Sequence, residues 1–212
     1  MFHFSDSTVS TILLKYYSLS LFLKCTLAVH NPHCLKEMLK EQKDVLGEKD
    51  TNVPLDFDSV GKMEYLQNSV KESLRMFPPL IMLMRMAMQD IETTLNGKKY
   101  TIPKGDIVIT SPAVASRMAS VFTKPDEFDP NRFNGPEVKV PYAYLGFGGG
   151  MHACMGQQFG LLQVKTIVSI LLRNYTIEAV DKELPEPDYT AMVVGPKNHL
   201  MVRYKKIAGS TI

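Results

Sequence analysis

The sequence of 212 residues has few cysteines, no strong excess of either charge and no long uninterrupted apolar run. Three cysteines without a Cys-x-x-Cys pair argue against a secreted disulfide framework and favour a reducing compartment. A net charge of +2, with scattered lysines and arginines, argues against a nucleic-acid-binding protein. The hydrophobic fraction of 45% is enough for a sizeable core in one domain or in part of a larger one.

The most apolar stretch, residues 11–29, is interrupted by Lys15 and Lys24. The run between them, from Tyr16 to Leu23, is much shorter than the roughly 20 apolar residues of a membrane-spanning helix. No short basic region precedes the stretch, which disfavours a signal peptide. We therefore expect residues 11–29 to form a buried or poorly formed helix rather than a membrane anchor.

Apolar residues at helical spacing predict three longer helices, over residues 33–46, 58–76 and 155–173. Asp58 or Ser59 would cap the second of them, because their side-chain oxygens can accept a hydrogen bond from the first turn. The third helix is apolar on most faces, which predicts that it is largely buried.

Short apolar and β-branched runs bounded by turn residues predict strands over residues 80–86, within 91–110 and within 175–205. Asn96-Gly97 predicts a tight hairpin between two of these strands. Residues 119–145 are rich in proline and lack periodicity, so we expect an irregular meander. The combination predicts a mainly α fold with small β-sheets, of the α+β class.

The most specific motif is the glycine-rich run FGGGMHACMG at residues 147–156, which places Cys154 at the start of a predicted helix. The N–H groups and dipole of a helix N-terminus stabilise a thiolate, and glycines let the backbone pass close to a flat group. Such a thiolate can serve as an axial ligand of iron. Taken alone, a cysteine after glycines is more often a buried structural thiol, and the spacing does not match a dinucleotide or phosphate loop.

Two further motifs involve charged side chains. Glu72 and Arg75 are three residues apart on a predicted helix, and such a pair is most often solvated and worth about 0–1 kcal/mol. Arg132, in the run FDPNRF, supplies a second guanidinium that can clamp Glu72 and lock the meander onto the helix. If this cluster is buried, loss of one partner would cost roughly 3–5 kcal/mol.

In this order, the three motifs resemble cytochrome P450, whose pattern runs Glu-x-x-Arg, Pro-x-Arg-Phe and Phe-x-x-Gly-x-His/Arg-x-Cys-x-Gly. The runs at residues 77–86, 163–166 and 189–195 are similar to those of sterol 14α-demethylases. The resemblance implies the cytochrome P450 fold, with residues 30–212 as its C-terminal, haem-binding part and the N-terminal half missing. Residues 1–29 would then be an atypical hydrophobic segment, a candidate remnant of the helix that crosses the distal haem face.

The resemblance also implies the role of individual residues. Cys154 would ligate the iron of haem b as a thiolate, and Arg85 and His152 would hold the haem propionates. The remaining haem-binding residues would be Phe147, Gly148, Gly150 and Gly156, and the structural residues Glu72, Arg75 and Arg132. The substrate-lining residues would be Leu80, Met82, Met84, Met192 and Val193, although their spacing alone fits ordinary core packing equally well.

The implied reaction is oxidative removal of the 14α-methyl group of a sterol by O2, with electrons from an NADPH-dependent reductase that docks on the Cys154 side. The family's usual location is the endoplasmic reticulum membrane, but no anchor is expected in this chain. The acid and threonine that deliver protons to oxygen in this family are not found among these motifs. The alternative is a truncated, non-catalytic haem-binding fragment or an incomplete gene product.

A zinc site offers another use for the cysteines and histidines. Its ligands would be Cys25, His30, His33 and Cys34. The adjacency of His33 and Cys34 is poor ligand spacing, so this hypothesis is disfavoured.

Overall fold

The computed structural model of the chain describes residues 10–13, 29–47, 54–181, 183–184, 186–190, 193–198 and 201–207. The helices are α1 (Pro32–Leu46), α2 (Phe57–Lys62), α3 (Glu64–Met76), α4 (Pro112–Ala115) and α5 (Gln157–Asn174). The strands are β1 (Ser10–Leu13), β2 (Leu83–Met86), β3 (Ile91–Leu95), β4 (Lys98–Ile102), β5 (Ile107–Thr110), β6 (Tyr175–Ala179), β7 (Pro187–Asp188), β8 (Gly195–Pro196) and β9 (Met201–Lys206). Helices combined with small antiparallel sheets confirm the predicted α+β class.

The hydrophobic core lies where α1, α3 and α5 meet. Helices α3 and α5 contribute apolar residues three or four positions apart, which lie on one helical face, and α1 contributes Met38. The buried cluster consists of Met38, Met63, Leu66, Val70, Leu161, Val164, Val168 and Leu172. This packing fixes α3 and α5 relative to each other; α3 ends shortly before β2, and α5 begins directly after the glycine-rich loop.

The helix predicted over residues 58–76 is divided in two at Met63, whose backbone leaves helical geometry with φ −77° and ψ 79°. Asp56, rather than the predicted Asp58 or Ser59, caps α2 by accepting a hydrogen bond of 2.7 Å from the Ser59 N–H. Met63 is completely buried in the core. The break therefore directs an apolar side chain inward between two helices of different direction.

The first turn of α3 is capped by a residue of another helix. The carboxylate of Glu41, on α1, accepts hydrogen bonds from the N–H groups of Tyr65 and Leu66, at 2.6 and 2.9 Å. These N–H groups have no partner inside their own helix, and the helix dipole favours a negative charge at this end. Burial raises the pKa of Glu41, and the two hydrogen bonds partly oppose that rise.

Strands β3 and β4 form the hairpin predicted at Asn96-Gly97, where both turn residues have positive φ values of 50° and 78°. Strand β2 begins at Leu83 rather than at residue 80 and pairs antiparallel with β5. The carbonyl oxygens of Pro79 and Ile81 accept hydrogen bonds from the Val194 N–H and the Ser111 hydroxyl rather than from β5, which accounts for the later start.

A three-stranded sheet, in the order β1, β9, β6, combines a strand from the start of the chain with two strands that follow α5. The predicted helix over residues 11–29 is wrong at its start, because Ser10–Leu13 pairs with β9 as a strand. Residues 14–28 lie outside the described residues, and Val29, the last residue of the predicted helix, is helical and buried. Within the described ranges, no helix is both long and apolar enough to cross a membrane.

Candidate functional site

A cavity of about 770 Å³ lies between β2, β5, the glycine-rich loop and α5. Its walls include Leu80, Leu83, Arg85, Phe147, His152 and Cys154. The structure thus brings together, around one space, a thiol, an imidazole, a guanidinium and several apolar side chains from segments up to 74 residues apart.

The glycine-rich loop turns sharply to place Cys154 at the cavity. Gly148 and Gly150 have φ values of 73° and 63°, a region that favours glycine because other residues meet their own Cβ there. The Cys154 N–H donates a hydrogen bond of 2.9 Å to the carbonyl oxygen of Phe147, which closes the loop. The cysteine and Phe147 are therefore held in a fixed relation by main-chain atoms.

Cys154 is exposed and carries a free thiol. Helix α5 begins at Gln157, with Gly156 as its N-cap, two residues later than the predicted start. The thiol therefore lies just before the start of the helix.

Arg85 and His152 reach the same cavity from different segments. Arg85 lies on β2 opposite Val108 of β5, and its Nη1 donates a hydrogen bond of 2.7 Å to the carbonyl oxygen of Met84. His152 ends the short 3₁₀ helix Gly150–His152. Both side chains are exposed and can donate hydrogen bonds to carboxylate groups.

The predicted substrate residues separate into two groups. Leu80 lines the cavity, whereas Met82 and Met84 are exposed and are not part of its walls. Successive side chains of a strand point to opposite faces, so Leu83 and Arg85 face the cavity and Met84 does not. Leu83 was missed from the sequence, although its position two residues before Arg85 on one strand was the signal.

The C-terminal segment around Val194 lies beside Leu80, at the edge of the same cavity. The Val194 N–H donates a hydrogen bond of 2.9 Å to the carbonyl oxygen of Pro79, which places the neighbouring Val193 close to the Pro79–Leu80 turn. Val193 is exposed and does not line the cavity. Met192 lies outside the described residues.

The predicted ion cluster occupies the contact between α3 and the 3₁₀ helix Pro130–Asn134. The Glu72 carboxylate accepts hydrogen bonds from Arg75 Nε at 2.7 Å, Arg75 Nη2 at 2.9 Å and Arg132 Nε at 2.9 Å. The side chains of Glu72 and Arg75 are 0% exposed and that of Arg132 is 4% exposed. Buried charges are tolerated when they are paired and their remaining hydrogen-bonding groups are satisfied, and the Glu72 carboxylate is paired with two guanidinium groups.

Several further groups complete the cluster, and none was identified from the sequence. Arg75 Nη1 donates to the carbonyl oxygen of Ser116 at 2.7 Å, and Arg132 Nη1 donates to Glu137 Oε2 at 2.7 Å. Burial alone would lower the pKa of Arg132, but the charges of Glu72 and Glu137 raise it above its ordinary value. Burial would raise the pKa of Glu137, but hydrogen bonds from Thr123 and Arg132 lower it.

The zinc hypothesis gains no support from the described residues. Among them, no group of three or more His, Cys, Asp or Glu side chains is arranged to hold a metal ion. The Cys34 sulfur lies 3.6 Å from His33 Nδ1, and burial raises the pKa of this thiol. A buried, protonated thiol is a poor zinc ligand. Cys25 lies outside the described residues.

Comparison with known proteins gives the context of this site. A family model described as Cytochrome P450 matches residues 18–203. The chain is 45% identical over 175 residues to the obtusifoliol 14-alpha demethylase of Triticum aestivum, covering 80% of this chain and 38% of that protein. It is 46% identical to the sterol 14-demethylase of Arabidopsis thaliana, covering 79% of this chain and 35% of that protein. It is 36% identical to the lanosterol 14-alpha demethylase of Homo sapiens, covering 81% of this chain and 33% of that protein.

Proposed function

The chain belongs to the cytochrome P450 family, and we propose that it carries the haem-thiolate site of a sterol 14α-demethylase, with Cys154 as the iron ligand. The observation that carries the proposal is that Cys154, His152 and Arg85 line one cavity. The chain spans 33% to 38% of the length of three relatives. Demethylation is therefore proposed as the reaction of the family, while the residues here are assigned to binding and positioning.

The residues around the cavity fit haem b. Cys154 offers a soft thiolate donor, which suits iron, and the exposed Arg85 and His152 offer donors for the two carboxylates of the macrocycle. At Gly148, an added Cβ would lie 3.4 Å from the carbonyl oxygen of His152 and would be strained by the positive φ. Glycine at this position therefore allows the sharp turn by which the loop closes on itself beside the cavity. When bound, such a thiolate-ligated haem supplies the activation of O2.

The chain's own residues would hold the haem in place and exclude water from the cavity. The hydrogen bond from the Cys154 N–H to Phe147 fixes the loop, and the dipole of α5 would help to balance the negative charge of a sulfur bound to iron. Leu80, Leu83 and Val108 would keep water from the apolar side of the cavity. A sterol is the proposed substrate because this wall is apolar and because the relatives named above are sterol demethylases.

The proposed partners follow the same reasoning. Electrons would come from an NADPH-dependent reductase that docks on the Cys154 side, where Met151 and Met155 are almost fully exposed beside the cysteine. Attachment to the endoplasmic reticulum membrane is proposed from the family alone. No nucleic-acid partner is proposed, since the net charge is only +2.

Haem titration of the expressed chain tests the ligand assignment. We expect the reduced protein with carbon monoxide to give the absorption band of thiolate-ligated haem. Cys154→Ala should abolish that band, because no other described thiol lines the cavity. Cys34→Ala is the matched control and should retain it. A thiolate-type band that survives Cys154→Ala would refute the assignment.

Turnover separates the enzyme from a haem-binding chain without activity. Reconstituted protein, a cytochrome P450 reductase and NADPH should convert obtusifoliol to its 14-demethylated product. A haem-loaded chain with the correct spectrum and no product with obtusifoliol or lanosterol would favour the non-catalytic alternative. The spectrum and the product are measured separately, so the two conclusions do not depend on each other.

A further inference from the structure

Tyr144 lies between the buried ion cluster and the glycine-rich loop. Its ring meets the ring of Phe133 edge-on, with the centroids 5.1 Å apart and the planes at 87°. Its hydroxyl lies against Gly146, which belongs to the wall of the cavity that Cys154 lines. The tyrosine ring therefore joins the 3₁₀ helix Pro130–Asn134 to one wall of the candidate site.

Phe133 is a firm support for this ring, because both of its neighbours in the chain are bonded to α3. Arg132 Nε donates to Glu72 Oε1 at 2.9 Å, and Asn134 Oδ1 accepts a hydrogen bond of 3.1 Å from Asn68 Nδ2. Asn68 and Glu72 lie one turn apart on α3, and both are buried. The position of the Phe133 ring is thus determined by α3.

On the side of the loop, the contact leaves no room for a side chain. A Cβ added to Gly146 would overlap the Tyr144 hydroxyl and would lie 2.8 Å from Cε2 of the same ring. The backbone of Gly146 is not in the left-handed region, so contact with the ring accounts for the glycine. The Tyr144 hydroxyl is buried and has no hydrogen-bond partner among the described residues, so the contact depends on shape rather than on polarity.

Main-chain contacts connect Gly146 to the cysteine. Gly146 forms an isolated β-bridge with Gly148, whose N–H donates a hydrogen bond of 3.0 Å to the carbonyl oxygen of Leu145. Phe147, between the two glycines, accepts the hydrogen bond of 2.9 Å from the Cys154 N–H. A shift of Gly146 would therefore move the residue that carries the sulfur.

We propose that Tyr144 is a positioning residue for the iron ligand, whose ring transmits the position of α3 to Gly146 and thereby sets where Cys154 meets the haem. The inference rests on the proposed function, because that function makes Cys154 the ligand. Residues that orient a metal ligand from behind typically affect metal affinity strongly, although they do not touch the metal. The ring carries the effect, since the hydroxyl makes no hydrogen bond among the described residues.

Amide hydrogen exchange of the full chain without haem tests the positioning directly. In Tyr144→Leu, the N–H groups of Gly148 and Cys154 should exchange at least about five-fold faster, because an aromatic contact that holds the loop closed is lost. Tyr144→Phe keeps the ring and should stay within about two-fold of the unmodified chain. The amides of α1 should be unaffected, whereas a general loss of stability would accelerate them as well.

Gly146→Ala tests the same contact from the side of the loop. Its matched control is Gly61→Ala, whose added Cβ would meet open space. Gly146→Ala should accelerate the same two N–H groups, and Gly61→Ala should not. The double variant Gly146→Ala/Tyr144→Leu should exchange no faster than Tyr144→Leu, because both substitutions disrupt one contact and their effects are not additive.

Haem titration then relates this contact to the ligand. Tyr144→Leu and Gly146→Ala should each bind haem roughly ten-fold more weakly and lose part of the thiolate-type carbon monoxide band. Tyr144→Phe and Gly61→Ala should match the unmodified chain in both measurements.

Unchanged exchange in both Tyr144→Leu and Gly146→Ala would overturn the inference. So would a Tyr144→Phe variant as impaired as Tyr144→Leu, or full haem affinity and an undiminished band in both disruptive variants. Absence of the thiolate-type band in the unmodified chain would instead refute the proposed function, and with it the role given to Cys154. That failure is recognised before any variant is compared.

Discussion

The ion cluster around Glu72 and the sheet formed by β2 and β5 are close in sequence and opposite in character. Every charge of the cluster is bonded within the chain, and Glu72 and Arg75 are 0% exposed. On the outer face of the sheet, Met84 and its partner Ile109 are 58% and 54% exposed. Polar side chains are thus buried in one region, while apolar side chains face solvent in the other.

This difference shows which region depends on internal contacts. The charges of the cluster compensate one another in a buried environment, so removal of one member leaves an unpaired charge that is not hydrated. Among the described residues, the apolar side chains on the outer face of the sheet remain in water. Their replacement should therefore change the free energy of unfolding very little. Substitutions in the ion cluster should therefore lower the free energy of unfolding much more than substitutions on the outer face of the sheet.

The largest effect is expected for Glu72→Ala, which leaves two buried guanidinium groups without their carboxylate. We expect a loss of about 3–5 kcal/mol in the free energy of unfolding, measured by urea denaturation with circular dichroism. Glu186→Ala is the matched control, since its pair with Lys197 is exposed and should contribute within about 0.5 kcal/mol. A loss below about 1 kcal/mol for Glu72→Ala would contradict the comparison.

A smaller effect is expected at the rim of the cluster, where Glu137 bonds Arg132. Because the folded-state pKa of Glu137 lies below its ordinary value of 4.5, its contribution is present above that value and lost as the pH falls through the folded-state pKa. Glu137→Gln should therefore destabilise the chain by about 1 kcal/mol at neutral pH. The difference should shrink in acid, and a difference that is constant from pH 7 to the acid limit would show that the charge is not involved.

The smallest effect is expected on the sheet face. Met84→Thr should change the free energy of unfolding by no more than about 0.5 kcal/mol, because the methionine is largely in solvent. Met63→Thr, which removes the same side chain from a completely buried position, should cost roughly 2–5 kcal/mol. Similar losses for both methionines, measured in parallel urea titrations, would mean that the sheet face is covered.

Local patterns predicted much of this structure. The hairpin at Asn96-Gly97 and the extent of α1 followed from turn chemistry and from the proline and glycine at the ends of the helix. The break at Met63 did not, since a continuous helical pattern runs across it and the cause is packing against distant helices. Nor could the sequence reveal that Glu41 binds the first turn of α3.

The candidate site shows the same division. Cys154, His152 and Phe147 lie in one run and were predicted as a unit, and the structure places them on one cavity. Leu83 was missed, because its place on the cavity depends on which face of β2 turns inward. Alternation along β2 nevertheless offered a signal for it.

The carboxylate of Glu41 has a consequence for how this region assembles. Since it binds two N–H groups at the start of α3, the helix that bears Glu72 and Arg75 is initiated by a side chain from a different helix. Helix nucleation is the unfavourable step of helix formation, and here its stabilisation is non-local. Docking of α1 and growth of α3 are thereby thermodynamically linked, so neither element reaches its full stability as an isolated peptide.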